Sequence, residues 1–597
     1  MNYLRKMKAE EGYAHIVIEE NGRIQKLTKQ INGIVSLRIL SFMLVAGTIY
    51  LTFANSAWFG WLSLVFIGVF LWLVKRHNAF SLERKRRREI KKIAEMELIA
   101  LRGDHSGFPA PPAIKGDHPF AYDLDLFHGD SIYRLLNRAR TPDGIATVTR
   151  QLLEAPVGVT EMQQWHEAIT ALSDKHRHRV STQAAASLTD VKAEQLEGIK
   201  AWSKESAVWS SDKLKWLLRL APFYTVLVLG LYGMDLIPES LMILAFLLPL
   251  GVVGANIKRT GEVYEQIGKH AQVFEGYSFL IEHILEAPLS KLTDEVRGEL
   301  QEASNAFKEL AKILSNFDQR NNFIVAILTN AFFLSELRNC MKVLKWKEKH
   351  GQNLVAWFEA IGKYELLISL ATFHANHEED LSFPSAMPDG QQGVKAQSVK
   401  HPLLLHQKVV ANDIGIHDPN RILIITGANM AGKSTYLRTI GVNVLLARMG
   451  SPVAAKDFEL SDLRLFTSMR TSDSLDSGTS YFMAELKRLA QLMDQTKDST
   501  PVLALLDEIL KGTNSLDKEQ GSRSFVKRLL QHPVYAVVAT HDVSLCTLKE
   551  EHRQEVENYH FASEVRGEDL YFDYKLHDGV CDTMNATWLM KSMGLID

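Results

Sequence analysis

Residues 421–438 read RILIITGANMAGKSTYLR, and no other stretch restricts the fold as tightly. The apolar, β-branched run 421–426 predicts a buried parallel strand. Gly427 follows, four residues precede Gly432, and Lys433, Ser434 and Thr435 close the pattern G-x-x-x-x-G-K-[ST]. A helical pattern over 435–449 comes next, so the motif has the strand-to-helix setting that a phosphate-cradling loop requires. The residue types suit that chemistry. Residues 427–435 (Gly427, Ala428, Asn429, Met430, Ala431, Gly432, Lys433, Ser434, Thr435) supply backbone N–H groups at a helix N-terminus. Lys433 reaches β/γ-phosphates and Ser434 ligates Mg²⁺. ATP is the expected ligand.

A chain of 597 residues exceeds what one core organises, so several domains are expected. The formal net charge of −2 gives no overall sign of nucleic-acid binding, which leaves any such role to local patches. Cys340, Cys546 and Cys581 lie far apart, show no metal-ligand spacing and fit thiols in a reducing compartment. Residues 1–30 are polar and charged, without the pattern of a cleavable signal peptide.

Two pairs of apolar runs stand apart from this average composition. Residues 39–54 and 57–74 form the first pair and residues 220–234 and 240–257 the second; none contains Asp, Glu, Lys, Arg or His. Each run is close to the length that crosses a bilayer. Lys26, Lys29, Arg38, Lys75, Arg76 and the basic run 84–88 flank the first pair, and Lys213, Lys215, Arg219, Lys258 and Arg259 flank the second. The turns at 55–56 and 235–239 carry no Lys or Arg. The positive-inside rule then predicts a multi-pass membrane protein with both hairpins entering from the cytoplasm, and both termini and the bulky domains cytoplasmic. Trp58, Trp61 and Trp72 suit interfacial anchoring. The competing expectation is a soluble protein with the hairpins buried in its core, although soluble helices normally keep a polar face. The basic run 84–88 fits acidic lipid headgroups better than DNA.

The rest of the N-terminal two thirds is helical in period, including the long stretch 260–349, which is poor in Gly and Pro. The fold class expected is α plus α/β. Residues 1–115 hold the first hairpin (39–54, 57–74), residues 116–395 a helical core with the second (220–234, 240–257), and residues 396–597 an α/β ATPase domain. In that last part, the run 501–506 ends in Asp507 and Glu508, which suits Asp507 for Mg²⁺ and Glu508 for polarising the attacking water. The run 534–540 ends in His541, placed to sense a γ-phosphate. Residues 512–517 (GTNSLD) follow the carboxylates closely.

With these motifs in order, the chain resembles the MutS family of ABC-type ATPases. Its loop TGANMAGKST is similar to the family's TGPNMxGKST, with Ala428 in place of Pro. Ser480-Tyr481-Phe482-Met483-Ala484-Glu485 resembles the signature STFM-x-E, preceded by Ser477-Gly478-Thr479. Asp507-Glu508-Ile509-Leu510-Lys511-Gly512-Thr513 stands for DEIGRGT, and Ala539-Thr540-His541 for ATH. His401-Pro402, the segment around Tyr574–Leu576, and LLNRARTPDG at 135–144 add to the likeness. The resemblance implies an ATPase using ATP and Mg²⁺, with Lys433, Glu508 and His541 at the reaction centre. It also implies a head-to-tail homodimer in which Ser480 of one subunit completes the site of the other, and DNA as a partner class.

Departures shape the expectation. Residues 1–120 lack the Phe-x-Glu wedge of mismatch-recognising relatives, the 260–349 stretch is short for long levers with a DNA clamp, and no nuclease-like extension is expected after Asp597. Val409 stands where relatives place the aromatic that stacks on adenine. The reading is a membrane-anchored MutS-like ATPase, with DNA contact left open and mismatch recognition not expected. The alternatives are an ABC-type transporter ATPase, which lacks LSGGQ and a polar lining here, and a soluble DNA-binding MutS homologue.

Overall fold

The computed structural model describes residues 2–114, 118–206, 212–318, 320, 322–428, 430–469, 481–511, 513–566, 569–581 and 596. Helices α1 (Asn2–Ala54) and α2 (Trp58–Ala100) form an antiparallel hairpin with the predicted apolar runs at its far end. The helical region continues as α3 (Ile132–Leu136), α4 (Pro142–Glu154), α5 (Met162–Ser173), α6 (His176–Ser187) and α7 (Ala193–Lys204). The second hairpin is α8 (Asp212–Gly233) and α9 (Glu239–Ile267), followed by α10 (Ala271–Leu285), α11 (Lys291–Leu300), α12 (Ala303–Asp318), α13 (Phe323–Phe333), α14 (Ser335–His350) and α15 (Leu354–His377).

Local chemistry explains the starts of several of these helices. At α4, Thr141 Oγ1 accepts from the Gly144 N–H, Pro142 occupies the first turn and Asp143 faces the helix dipole. Ser290 and Thr293 cap α11 reciprocally. Helix α15 is buried on nearly every side and packs against α4, α5 and α11, which makes it the axis of the helical region.

The base of the first hairpin docks on this region. Ala9, Tyr13 and Ile16 of α1 and Ile90, Ile93 and Ala94 of α2 close over Val180 and Ala184 of α6. Beside them runs a buried polar chain. Glu97 pairs with Arg138 at 2.6 Å, Asn376 Nδ2 donates to Glu97 Oε2 at 3.1 Å, and Tyr13 Oη donates to Asn376 Oδ1 at 2.9 Å.

Helices α1, α2, α8 and α9 are each long and apolar enough to cross a membrane. Their most apolar windows are 11% buried in α1, α2 and α9 and 28% in α8. Burial of the hairpins within a soluble core is therefore not what the fold contains. Part of the basic run on α2 engages the protein: Arg87 pairs with Glu83 and Glu20, and the Arg86 guanidinium lies 3.7 Å from the centre of the Phe279 ring.

The C-terminal third is α/β. Strands β1 (Ser385–Ala386), β2 (Gly393–Val399), β3 (Asn412–His417) and β4 (Ile422–Gly427) lead into α16 (Lys433–Arg448). Then come β5 (Asp457–Leu460), β6 (Arg464–Ser468), α17 (Tyr481–Gln495), β7 (Val502–Asp507) and α18 (Ser515–Leu529). The last elements are β8 (Val534–Ala539), α19 (Leu548–Glu551), β9 (Val556–Arg566) and β10 (Asp569–Asp578). The smaller sheet has the order β1-β5-β2-β3 and the larger β10-β9-β4-β8-β7-β6. In the larger sheet β9, β4, β8, β7 and β6 run parallel and β10 closes one edge antiparallel. The expected boundary at 395/396 falls inside β2, a strand paired to both β3 and β5.

The helical and α/β parts share one hydrophobic cluster that runs from Phe120 to Phe561. Asp123 Oδ2 accepts from Thr467 Oγ1 at 2.6 Å and from the Met469 N–H at 3.1 Å. A Cβ on Gly441 of α16 would come within 2.7 Å of a Leu124 methyl, so the two elements touch closely and a larger residue would push that side chain aside.

Candidate active site

The register of the larger sheet brings the motifs together. Ile425 of β4 lies opposite Ala539 of β8, and Asp507 of β7 lies opposite the same alanine on its other side. The carboxyl ends of β4, β7 and β8 therefore open on one cleft, the usual ligand position in a parallel α/β sheet. The cleft has a volume of about 530 Å³.

Gly427 leaves β4 with φ +137°, where a Cβ would sit 2.6 Å from the Phe561 carbonyl oxygen. Gly432, at φ +113°, opens α16. Between them Ala431 is fully buried, while Met430 sits at φ +70° with 82% of its surface exposed. Ala428 and Thr435 border the cleft; Asn429 lies outside the described residues.

Lys433 is almost fully buried, and its Nζ donates to the carbonyls of Gly427 at 2.6 Å and Ala428 at 3.0 Å. Desolvation by burial lowers its pKa, against the pull of Asp507 and Glu508. Ser434 Oγ donates to Asp507 Oδ2 at 2.5 Å, which joins the two residues predicted to hold Mg²⁺.

Glu508 takes a backbone φ of +50°. Its Oε1 lies 2.8 Å from His541 Nε2 and its Oε2 3.4 Å from Lys511 Nζ. The hydrogen bond to His541, followed by the charge of Lys511, outweighs desolvation and holds the carboxyl down at about 2. His541 Nε2 is also 3.4 Å from Lys433 Nζ. The shorter contact assigns the Nε2 proton to the bond with Glu508. Ser434–Asp507 and Lys433–His541–Glu508 thus form two contacting sets on adjacent chain positions, whereas Ser480 falls outside the described residues.

Two features of the site escaped the sequence reading of individual roles. Glu485 of α17, nearly buried, accepts backbone N–H bonds from Leu510 and Lys511, in the loop just after Glu508. Tyr574 lines the cleft together with Val409, held at φ +56° by an irregular β9–β10 pairing. Asn412 fixes that irregularity, donating to the Tyr574 carbonyl at 3.0 Å and accepting from the Leu576 N–H at 2.8 Å. The signal for Tyr574 was an aromatic in the closing hairpin, but a bulge decides where it points.

The model of MutS domain V matches residues 423–592, a span that holds both contacting sets. The DNA mismatch repair protein MutS of Thermotoga petrophila is 29% identical over 346 residues, covering 57% of this chain and 41% of the relative. That of Thermotoga sp. (strain RQ2) is 30% identical over 253 residues, 42% of this chain and 31% of the relative. Over residues 423–592 the chain is of the MutS family. The MutS of Thermotoga maritima agrees, at 28% identity over 346 residues, with 57% and 41% covered. An alignment of that length exceeds the span 423–592, so likeness to MutS extends into the helical region. The chain spans less than half the length of these curated MutS relatives.

Proposed function

We propose that this MutS-family chain is a membrane-anchored ATPase that binds and hydrolyses ATP in the cleft at the ends of β4, β7 and β8. The observation carrying the reading is the convergence of Lys433, Ser434, Asp507, Glu508 and His541 there. Backbone N–H groups at the start of α16 and the Lys433 ammonium meet the phosphates. Glu508, kept ionised by His541, takes the proton of the attacking water. Ser434 and Asp507 offer adjacent hard oxygens, the donor set Mg²⁺ prefers. When bound, the ion neutralises charge on the phosphate oxygens. The Tyr574 ring offers a stacking face for the base opposite Val409.

The assembly proposed is a homodimer with composite sites, in which Ser480 of the partner subunit completes each cleft. The resemblance of residues 480–485 to the MutS signature motivates it. The membrane topology proposed has α1, α2, α8 and α9 as spans, both termini and the α/β part on the cytoplasmic side. Exposed apolar faces and Lys/Arg-free turns support it. The uncharged apolar runs argue against a transport path. The relatives' names speak of DNA mismatch repair; on α2, Arg86 and Arg87 of the basic run engage the protein itself.

The test is hydrolysis by the full chain in liposomes, with and without duplex DNA across a salt series. Lys433→Ala is expected to weaken ATP binding on the order of 10- to 100-fold, the worth of a charge-assisted contact. Glu508→Gln is expected to bind ATP yet hydrolyse it roughly 10²-fold or more slowly. A Glu508→Gln variant at the wild-type rate overturns the assignment of the base. DNA stimulation that fades steeply with salt would add phosphate contacts to the function.

A further inference from the structure

Helix α13 is absent from the four-span reading, and its surroundings are unusual. Residues 321–335 contain no charged side chain. Phe323 is 76% exposed, Ile324 69% and Leu328 50%, and Ile327 and Phe333 are exposed as well. An uncharged helix with its aromatic and aliphatic side chains facing outward has no driving force to stay in water.

Its neighbours say what covers it. The Phe332 ring meets Phe246 of α9 at 4.7 Å, and the Phe332 carbonyl accepts from Thr225 Oγ1 of α8 at 2.5 Å. Leu334 and Leu337 pack with Leu214, Leu218 and Ala221 of α8 and Val253 of α9. These contacts place the C-terminal end of α13 against the apolar runs 220–234 and 240–257. On that hairpin Phe223, Val226, Leu244 and Leu248 are exposed as well.

Length and bend decide how it enters. Eleven residues span about 16 Å, roughly half of a ~30 Å hydrocarbon core, so α13 cannot cross. After Leu334, which adopts φ +53°, the chain turns by 80° into α14. The two ends are tied together at the polar side: Arg320 Nη1 lies 3.4 Å from Glu336 Oε1, and Thr260 Oγ1 of α9 donates to the same oxygen at 2.7 Å. Arg320 also stacks over Tyr264 at 4.7 Å. Asn330 Oδ1 accepts from the Glu336 N–H at 2.8 Å, which satisfies the start of α14 at the bend.

We infer that α13 is a re-entrant, lipid-contacting helix that dips into the acyl region of the cytoplasmic leaflet beside α8 and α9, clasped by the Arg320–Glu336 pair. The inference rests on the membrane reading of the α8–α9 hairpin. It adds a non-spanning lipid contact that joins α14, and through it the helical region, to the bilayer.

The experiment uses the full chain in phosphatidylcholine/phosphatidylglycerol liposomes with Cys581→Ser, the remaining cysteines being buried. Single cysteines at Ile324, Leu328, Leu244 and Lys345 carry an environment-sensitive fluorophore, and lipids with chain-borne nitroxides act as quenchers. The expected result is loss of more than half the emission at Ile324, Leu328 and Leu244, and little loss at Lys345, an exposed position on α14. Quenching at Leu244 with none at Ile324 and Leu328, and reaction of those two with a membrane-impermeant maleimide, overturns the inference while the hairpin remains in lipid. Protection at Ile324 without quenching, relieved by dilution, assigns the face to a second copy and overturns it too. No quenching at Leu244 removes the membrane reading itself.

Discussion

His541 Nε2 stands 2.8 Å from Glu508 Oε1, and this contact is the largest cause of the low pKa of the carboxylate. Glu508 therefore stays ionised down to about 2. Wild-type hydrolysis is expected to show no loss from this group at mildly acid pH. In His541→Ala the carboxyl rises toward the ordinary range, and a falling limb is expected between about pH 4 and 5. Matched pH–rate profiles of the two proteins check this; coincident profiles would separate His541 from the base.

Glu485 holds the segment behind Glu508, the proposed base. Its two acceptor bonds fix Leu510 and Lys511, and Leu510 sits at φ +61°, where a non-glycine residue costs roughly 1–2 kcal/mol. Glu485→Ala frees the loop to relax and should lower kcat about tenfold or more with KM for ATP little changed, because the phosphate loop is untouched. Glu485→Gln keeps one acceptor oxygen and should fall between. Equal kcat in all three proteins would remove the positioning role.

Glu97 and Arg138 form an ion pair in which both side chains are nearly inaccessible to water. Removing one partner strands a buried charge. Glu97→Ala is expected to destabilise the chain by about 3–5 kcal/mol, whereas the double change Glu97→Met/Arg138→Met should recover much of the loss. Thermal unfolding of the detergent-solubilised protein gives the comparison.

Glu365 supplies a pH signature. It is fully buried on α15, where its Oε1 accepts from the Arg140 N–H at 2.7 Å and from the Thr141 N–H at 3.2 Å. Burial nevertheless lifts its pKa from 4.5 to about 7. A carboxyl raised on folding stabilises the fold fully below its unfolded pKa and loses that contribution as pH climbs through the folded value. Stability is thus expected to fall between about pH 4.5 and 7, by on the order of 3 kcal/mol. Glu365→Gln should flatten this slope in denaturant titrations at several pH values.

The parts of the site that were legible in the sequence are those fixed by local chemistry. Gly427, Gly432 and Lys433 announce themselves because only glycine tolerates their φ and only a cation suits the phosphates. Asp507 and Glu508 could be found because they close one apolar strand and His541 because it follows another, and the parallel register brings these two ends beside that of β4. The hairpins were visible because long charge-free runs are rare in water-soluble folds. Helix α13 stayed hidden because its eleven residues fall short of a span and its identity depends on contact with α8 and α9. Tyr574 and Glu485 act through tertiary geometry, one through a β-bulge and the other through a loop twenty-five residues away in sequence.

The close contact between Gly441 and Leu124 bears on how the protein can be dissected. The helix that starts at Lys433 leans on residues 120–127, which arrive some three hundred residues earlier, and Asp123 bonds to the chain at Thr467 and Met469. A fragment beginning at residue 396 would lose a strand partner, leave Leu124's pocket empty and expose the hydrogen-bonding groups that Asp123 satisfies. The α/β part and residues 120–127 thus share packing and hydrogen bonds that a cut between them would break.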